Sequence, residues 1–290
     1  MARGIILLLL AALSFAVMTV FVKLVTTHSA LQAMEVSFFR FLLGFMAMLP
    51  YQLSRKKSLS PVRLDLVLLR VISNVTSVTL FFLGIQHTTV TNANMLNMTY
   101  PVFVFILSPF MNREGINPFH FIFLILAMAG VYLIVAADFS QVRKGDIFAL
   151  LSGIAAGFAL STLRQLRKYD STYVILFYQM GIGTLLTGAL MVPWAVMPSA
   201  DTVHFILLVG VLGYLGQMFL TWGYRYISAS SGSLVTASRI LFAAFLGVVI
   251  FADPITLKIA AGGVLILISL FGVSGLFGGR MQTCTGSEGE

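Results

Sequence analysis

Two asparagines and a proline lie close together in an apolar stretch of the chain, at Asn94, Asn97 and Pro101. Residues spaced i, i+3 and i+7 share one face of an α-helix. An amide side chain in hydrocarbon costs several kcal/mol unless it is hydrogen-bonded, so this face must turn toward other helices. Pro101 leaves the carbonyl group of Asn97 without its usual donor. The pattern predicts a substrate pocket; hydrogen bonds that only hold the helices together are the alternative.

The same stretch is repeated later in the chain. Residues 83–114 align without a gap with residues 222–253 at an offset of 139. The two asparagines correspond to Ser233 and Thr236, so a second polar helix face is predicted. The proline corresponds to Ile240, and we therefore expect the helix distortion to be confined to the first copy.

Two arginines, Arg40 and Arg239, lie deep in predicted membrane spans. Each is about nine residues into its span, which corresponds to about 13 Å along an α-helix. An uncompensated charge at that depth costs at least about 3 kcal/mol, and Glu35 is the only carboxylate well placed to help. An anionic or zwitterionic substrate group would satisfy the guanidinium groups. Bonding to helix-end carbonyl groups, or a watery cavity, is the alternative.

Two further cations lie nearer to the ends of their spans. Lys23 is about one turn from the outer end of the first span, and Arg70 is about two turns from the inner end of the third. Side chains of this length reach the membrane interface, so we expect both to snorkel. Lys23 is also expected near Glu35, at the same outer surface.

Other side chains complete the predicted substrate-binding set. Tyr100 directly precedes the proline, and Phe15, Met18, Gln217 and Trp222 lie on the first and eighth predicted spans. Membrane helices are rich in such residues, so core packing or lipid contact is the competing interpretation for each of them. Trp222 could equally anchor the chain at the membrane interface.

Composition places these residues in a membrane protein. Of 290 residues, 59% are hydrophobic and 10% are charged, and the mean hydropathy is +0.98. We predict an all-α polytopic membrane protein, because ten apolar runs are long enough to span a bilayer: about 4–27, 32–53, 64–86, 90–111, 117–137, 146–166, 172–193, 203–226, 230–252 and 256–277. The first run is too long for a signal peptide and contains Lys23, so we expect it to be retained.

Positive charges in the loops orient the chain. With the N-terminus in the cytoplasm, eleven Lys and Arg residues lie on the inner side and three on the outer side. Both termini are therefore predicted to be cytoplasmic, in the inner (plasma) membrane of a bacterium. The formal charge of +8 gives no sign of nucleic-acid binding. Cys284 is the single cysteine, which excludes an intramolecular disulfide.

The duplication extends beyond the polar stretch. Residues 40–44 align with 179–183 at the same offset. This divides the chain into two repeats of five spans, 1–137 and 145–278, followed by a polar cytoplasmic tail, 279–290. Because five is odd, the second repeat is inverted in the membrane. In secondary transporters such repeats place the substrate between the halves; a duplication that only built a stable bundle is the alternative.

Several short motifs occur in order along the two halves. The acidic span exits at Glu114 and Asp253 and a glycine-rich final span occur in both halves, whereas the segment 40–44 (Arg-Phe-Leu-Leu-Gly) and Pro101 occur in the first half. In these features the chain resembles the EamA-type family of the drug/metabolite transporter superfamily, over about residues 4–278. The resemblance implies substrate movement without ATP hydrolysis. It implies no particular substrate, because substrates vary widely across the family.

The predicted function is secondary transport of a small organic metabolite by alternating access. An amino acid, a nucleotide-like metabolite, or an organic anion or zwitterion is expected. A channel or a non-transporting scaffold is the alternative. An integral membrane lipid enzyme is a weaker one, because the four histidines lie at span ends or in loops and form no His-Glu-x-x-His pair. No cofactor, metal or nucleic acid is expected; the partners are the substrate and the lipid bilayer, and a homodimer is left open.

Overall fold

The computed structural model describes residues 2–55, 59–88, 90–113, 118–135, 143–192, 196, 198–251 and 257–274. In these residues the long regular elements are α-helices: α1 (Ala2–His28), α2 (Ala33–Arg55), α3 (Leu64–His87), α4 (Val90–Asn97), α5 (Tyr100–Asn112), α6 (Pro118–Val135), α7 (Lys144–Leu166), α8 (Thr172–Met191), α9 (Ala200–Gly223), α10 (Ala229–Ala237), α11 (Arg239–Phe251) and α12 (Leu257–Ser274). The acidic span exits at Glu114 and Asp253 and the tail with Cys284 lie outside the described residues.

Eight segments of the described residues are long and apolar enough to cross a membrane. Helices α4 and α5 together form one of them, Ala93–Asn112, and α10 and α11 form another, Ala229–Leu246. Two shorter apolar helices, His120–Leu133 and Ala260–Gly272, lie within α6 and α12. The spans predicted there continue into residues outside the described ranges. The prediction of an all-helical polytopic membrane protein is confirmed.

The predicted fourth span is broken in its middle. Helix α4 ends at Asn97, a two-residue turn follows, and α5 begins at Tyr100. In the turn, the backbone N–H of Thr99 donates to the carbonyl oxygen of Leu96 at 3.3 Å, and its hydroxyl group donates to the same atom at 2.6 Å. A hydroxyl bonded back in this way favours a bend, although α7 continues through Ser152, whose hydroxyl group makes the same kind of bond to Ala149. Pro101 follows in the first turn of α5, where its missing N–H costs little.

The corresponding span of the second repeat is broken at the corresponding residue. Ser238 separates α10 from α11, and its hydroxyl group donates to the carbonyl oxygen of Val235 at 2.7 Å. Its backbone N–H donates to the same oxygen at 3.2 Å. The prediction that the distortion is confined to the first copy is therefore wrong. That prediction rested on Pro101, whereas the feature common to both breaks is a hydroxyl side chain, at Thr99 and Ser238.

The most extensive helix contacts join the first six helices to the last six. Helix α1 packs on α9, α3 on α7, α2 on α8, and α6 on α12. Glycines permit close approach: a Cβ atom on Gly130 would lie 2.7 Å from the carbonyl oxygen of Gly262, and one on Gly145 would lie 2.5 Å from the carbonyl carbon of His87. Because backbones touch at these points, larger side chains would force the helices apart.

Glycines of α9 also position side chains of α1 and α2. A Cβ atom on Gly213 would lie 2.8 Å from Nε of Arg40, and one on Gly216 would lie 2.6 Å from the ring of Phe15. These side chains therefore lie directly against the α9 backbone. Both point into the space between the two sets of helices, where the candidate site is found.

Candidate functional site

A cavity of about 110 Å³ lies between the first six helices and the last six. Its apolar lining includes Phe15, Met18, Val78, Phe81, Phe82 and Leu160. Its polar lining comes from seven helices and consists of Arg40, Arg70, Asn74, Ser77, Asn97, Tyr100, Gln217, Thr236 and Arg239. Side chains next to both helix breaks therefore line the same cavity.

Two of the three arginines of the cavity are almost completely buried. Arg40 on α2 is 3% exposed and Arg70 on α3 is 0% exposed. The guanidinium carbon of Arg40 lies 5.9 Å from the centre of the Phe15 ring. Nη2 of Arg70 donates to Oε1 of Gln217 at 3.3 Å. Nε of Arg40 and both Nε and Nη1 of Arg70 have no hydrogen-bond partner among the described residues.

The third arginine, Arg239, is the first residue of α11 and is partly buried. Its Nη2 donates to Oδ1 of Asn97 at 3.1 Å. Its guanidinium carbon lies 5.7 Å from the centre of the Phe81 ring. Arg239 therefore joins the helix break of the second repeat to that of the first through an amide.

Within the described part of the chain, no carboxylate lines the cavity. Both carboxylate oxygens of Glu35, the acid expected to help the arginines, accept hydrogen bonds from backbone N–H groups elsewhere: those of Gln32 and Val196. In the same part of the chain no three His, Cys, Asp or Glu side chains gather closely enough to hold a metal ion. The described lining thus offers three guanidinium groups without a carboxylate partner, which favours an anionic ligand.

Two hydrogen bonds related by the repeat connect the halves at the cavity. At the offset of 139, Asn97 corresponds to Thr236 and Tyr100 corresponds to Arg239. Arg239 donates to Asn97, and the hydroxyl group of Tyr100 donates to Oγ1 of Thr236 at 3.0 Å. Arg239, the first residue of α11, thus contacts the last residue of α4. Tyr100, the first residue of α5, contacts a residue in the last turn of α10.

The helix breaks also direct backbone dipoles toward the cavity. Tyr100 and Arg239 are the first residues of α5 and α11, each 13 residues long. The N-terminus of an α-helix carries a partial positive charge because its first N–H groups have no partner within the helix. The C-terminal ends of α4 and α10 meet the same cavity at Asn97 and Thr236 and carry the opposite partial charge, so the arginines set the sign of the charge in the cavity.

Most of the predicted site residues line the cavity: Phe15, Met18, Arg40, Asn97, Tyr100, Gln217, Thr236 and Arg239. Four do not. Asn94 and Pro101 lie on α4 and α5 without reaching the lining. Ser233 is buried in α10, and its carbonyl oxygen lies 3.4 Å from the hydroxyl oxygen of Tyr100. Trp222 lines a different cavity.

The prediction that Arg70 snorkels to the membrane interface is wrong. Its side chain is fully buried and lines the central cavity, together with Asn74 and Ser77 one and two turns along α3. The prediction considered depth alone. The missed signal was the spacing of these residues at i, i+4 and i+7, because a polar stripe on an apolar helix must face other protein groups.

The second cavity, of about 500 Å³, lies where α7 and α9 end and α8 begins, and Trp222 lines it. Burial and the nearby charge of Arg225 lower the pKa of the Arg167 side chain to about 10. Nη1 of Arg167 donates to the carbonyl oxygen of Asp170, whose carboxylate accepts from the backbone N–H of Val62 at 2.8 Å. These bonds connect loops to helix ends, which makes structural support the simplest role for this region.

The sequence was compared with models of known protein families. The model of the EamA-like transporter family matches residues 2–136 and again residues 143–275. The chain belongs to the EamA-like transporter family. The resemblance identified from the motifs is confirmed, and the protein is a multi-pass membrane transporter.

Relatives of this EamA-like transporter are similar to it over most of their length. Pseudopaline exporter CntI of Pseudomonas aeruginosa (strain UCBPP-PA14) is 29% identical over 275 residues, which cover 93% of this chain and 95% of the exporter. An uncharacterized transporter of Helicobacter pylori (strain ATCC 700392 / 26695) is 30% identical, with 92% of each chain covered. Solute carrier family 35 member G1 of Mus musculus is 25% identical, with 93% and 78% covered.

A solved crystal structure is also similar to the EamA-like transporter described here. The TM-score is 0.76 and the sequence identity is 16%, and the similarity covers 95% of this chain and 96% of the other. At this identity the likeness concerns the fold alone.

Proposed function

We propose that this transporter is a secondary carrier that moves a small organic anion or zwitterion by alternating access, with the central cavity as its substrate site. The observation that carries this proposal is the group of three arginines between the repeats, Arg40, Arg70 and Arg239, with no carboxylate among the described lining residues. A buried guanidinium group without a counter-ion is unfavourable. A carboxylate or phosphate group of the substrate would stabilise the site as it binds.

The cavity volume favours a compact solute. About 110 Å³ is well below the roughly 300–1,000 Å³ of pockets for drug-sized ligands. Amino acids and small organic acids match this volume better than nucleotide-like metabolites do. The rings of Phe15 and Phe81 and the amide of Gln217 would contact the uncharged part of such a solute.

The proposal includes ten spans arranged as two inverted repeats. In the two repeats, α1 corresponds to α7, α2 to α8, α3 to α9 and α6 to α12. The contact of α1 with α9 therefore has the contact of α7 with α3 as its counterpart, and the contacts of α2 with α8 and of α6 with α12 are their own counterparts. This exchange symmetry supports two-fold related halves, and five spans in each half would make them inverted. Rocking of the halves about the cavity would then expose it to each side in turn.

Topology and direction complete the proposal. The excess of loop Lys and Arg residues on one side supports cytoplasmic termini in a bacterial inner membrane. The Pseudomonas aeruginosa relative is named an exporter, which makes export the direction to test first. A membrane-impermeant maleimide tests the topology. Cys284 should react only after the membrane is permeabilised, whereas Asp201→Cys in a Cys284→Ser background should react in intact cells; the reverse pattern would invert the orientation.

Counterflow in proteoliposomes tests the carrier function. Liposomes with the purified protein are loaded with one unlabelled amino acid or organic acid, and uptake of the labelled solute is followed. We expect saturable uptake that depends on the internal solute. Flux that rises linearly with concentration and needs no internal solute would indicate a channel, and turnover of a lipid without solute flux would indicate an enzyme.

Variants connect this activity to the cavity. We expect Arg40→Gln and Arg239→Gln each to lower the counterflow rate at low substrate concentration roughly 10- to 100-fold, because each removes a charge that binds the substrate. Arg63→Gln is the matched control, since Arg63 forms an exposed ion pair with Asp65 at 2.6 Å, outside the cavity. Normal transport by both cavity variants would disprove the proposed site.

A further inference from the structure

The partners that the cavity provides for its arginines are all neutral. Arg239 donates to the amide oxygen of Asn97, and Arg70 donates to the amide oxygen of Gln217. Arg40 lies over two phenylalanine rings. An amide oxygen accepts a hydrogen bond but cancels no charge. Among the described lining residues, three positive charges therefore remain without a negative one.

The three charges also act on one another. Arg40 lies close enough to both Arg239 and Arg70 for the like charges to repel. In a low-dielectric interior such repulsion is strong. A substrate with one negative charge would leave two guanidinium groups uncompensated. A substrate with two would leave one, and the ring contacts of Arg40 offset part of its cost.

Unused hydrogen-bond donors indicate where the negative groups would bind. Nε and Nη1 of Arg70 are buried and have no partner in the described part of the chain; a second anionic group would reach their three N–H groups as the halves move apart around the cavity. Gln217 holds the remaining nitrogen, Nη2, and so positions the side chain. Arg239 is held in the same way by Asn97. Arg70 and Arg239 are thus each positioned by an amide group. They belong to different repeats, because Arg70 lies on α3 of the first and Arg239 on α11 of the second.

We infer that the substrate carries two anionic groups, as a dicarboxylate does, and that Arg70 binds the second group while Arg239 binds the first. This inference rests on the proposed carrier function and adds to it the charge of the substrate and the residue that selects it. Gln217 is a positioning residue for Arg70. The side chain of Arg70, assigned to the membrane interface by sequence reasoning, becomes the specificity determinant.

Matched pairs of solutes test the charge of the substrate. Succinate and succinamate, and likewise L-glutamate and L-glutamine, differ in one carboxylate that an amide of similar size replaces. Binding to the purified protein is measured by titrating its thermal unfolding temperature, and exchange is measured by counterflow. We expect the dicarboxylate of at least one pair to bind about tenfold or more tightly than its amide, as a charge-assisted hydrogen bond predicts.

Variants of Arg70 test the assigned residue. Arg70→Gln should bring the affinity ratio of the pair close to one, whereas Arg70→Lys, which keeps the charge, should retain part of the preference. Arg70→Gln removes an uncompensated buried charge but also the hydrogen bond to Gln217, so the unfolding temperature of each variant is measured to show that it is folded. Arg63→Gln, outside the cavity, should keep the full ratio.

The outcomes separate this inference from the proposed function. Equal binding and exchange of both members of each pair would overturn the dicarboxylate inference and leave the carrier intact. A full preference in Arg70→Gln would overturn the role of Arg70. Absence of saturable exchange with all four solutes would overturn this inference, whereas the carrier function is tested separately by counterflow with other amino acids and organic acids.

Discussion

The two copies of the duplicated stretch have the same backbone break but different chemistry. Thr99 and Ser238 interrupt corresponding spans with the same hydroxyl-to-carbonyl bond. Across the break, however, the first copy presents the neutral Tyr100 where the second presents the cation Arg239. The partners, Asn97 and Thr236, are neutral in both copies.

This difference separates the scaffold from the site. Equivalent breaks and equivalent interhelical contacts provide two matching halves, which the proposed alternating-access mechanism would use. Substitutions at equivalent positions then make the cavity asymmetric, so that its charge is placed by particular side chains. Arg40 is a second example, because its counterpart Gln179 is neutral and donates to Asn74 at 2.9 Å.

The largest difference between the copies is expected at Arg239 and Tyr100. Arg239→Gln should lower the transport kcat/KM roughly 10- to 100-fold, since a hydrogen bond to a charged group is lost. Tyr100→Phe should lower it less than about tenfold, since the lost bond is neutral. Initial counterflow rates at low substrate concentration give both values. An equal or larger loss in Tyr100→Phe would refute the asymmetric assignment of charge.

An intermediate difference is expected at Gly84 and Gly223, which correspond to each other in the repeat. A Cβ atom on Gly223 would lie 2.5 Å from Cδ2 of the fully buried Leu8, whereas one on Gly84 would lie 3.1 Å from Cβ of Ala149. Gly223→Ala should therefore cost about 1–3 kcal/mol of stability, and Gly84→Ala should cost less. Thermal unfolding of the purified variants measures the order, and the opposite order would contradict it.

The smallest difference is expected at the hydroxyl groups of the two breaks. Ser238→Ala should lower the transport rate by up to about fivefold, as the loss of one hydrogen bond predicts. The second copy has Ile240 in place of a proline, so without the Ser238 hydroxyl group α10 and α11 can form one continuous helix. Thr99→Ala should have less effect, because Pro101 still disfavours a continuous helix. Ser238→Thr, which keeps the hydroxyl group, is the control for the side-chain bond. A larger effect of Thr99→Ala would show that proline adds nothing to the break.

Much of the site was predictable because polar groups are expensive in hydrocarbon. Arg40, Asn97, Gln217 and Arg239 all lie within apolar spans, and all line the cavity. Their depth could be counted from the ends of the spans, so no tertiary information was needed. That they bind a substrate is a prediction that transport measurements must test.

Arg70 and Trp222 were placed differently by the structure. Arg70 lies close to a span end in the sequence, but its side chain lines the central cavity and donates a hydrogen bond to Gln217 on α9. Trp222 lies near the predicted site residue Gln217 in the sequence, but it faces a cavity at the end of α9. Position along a helix specifies depth. The direction of a side chain depends on which helix packs against it.

The sequence by itself determined the all-helical membrane fold, the duplication and the family, because apolar length and a constant offset can be read directly from the residues. Only the tertiary structure decided which charges share one cavity and which partners they have. Arg40, Arg70 and Arg239 are distant in the chain and are brought together by packing between the repeats. Electrostatic interactions depend on distance in space, and sequence separation does not determine that distance.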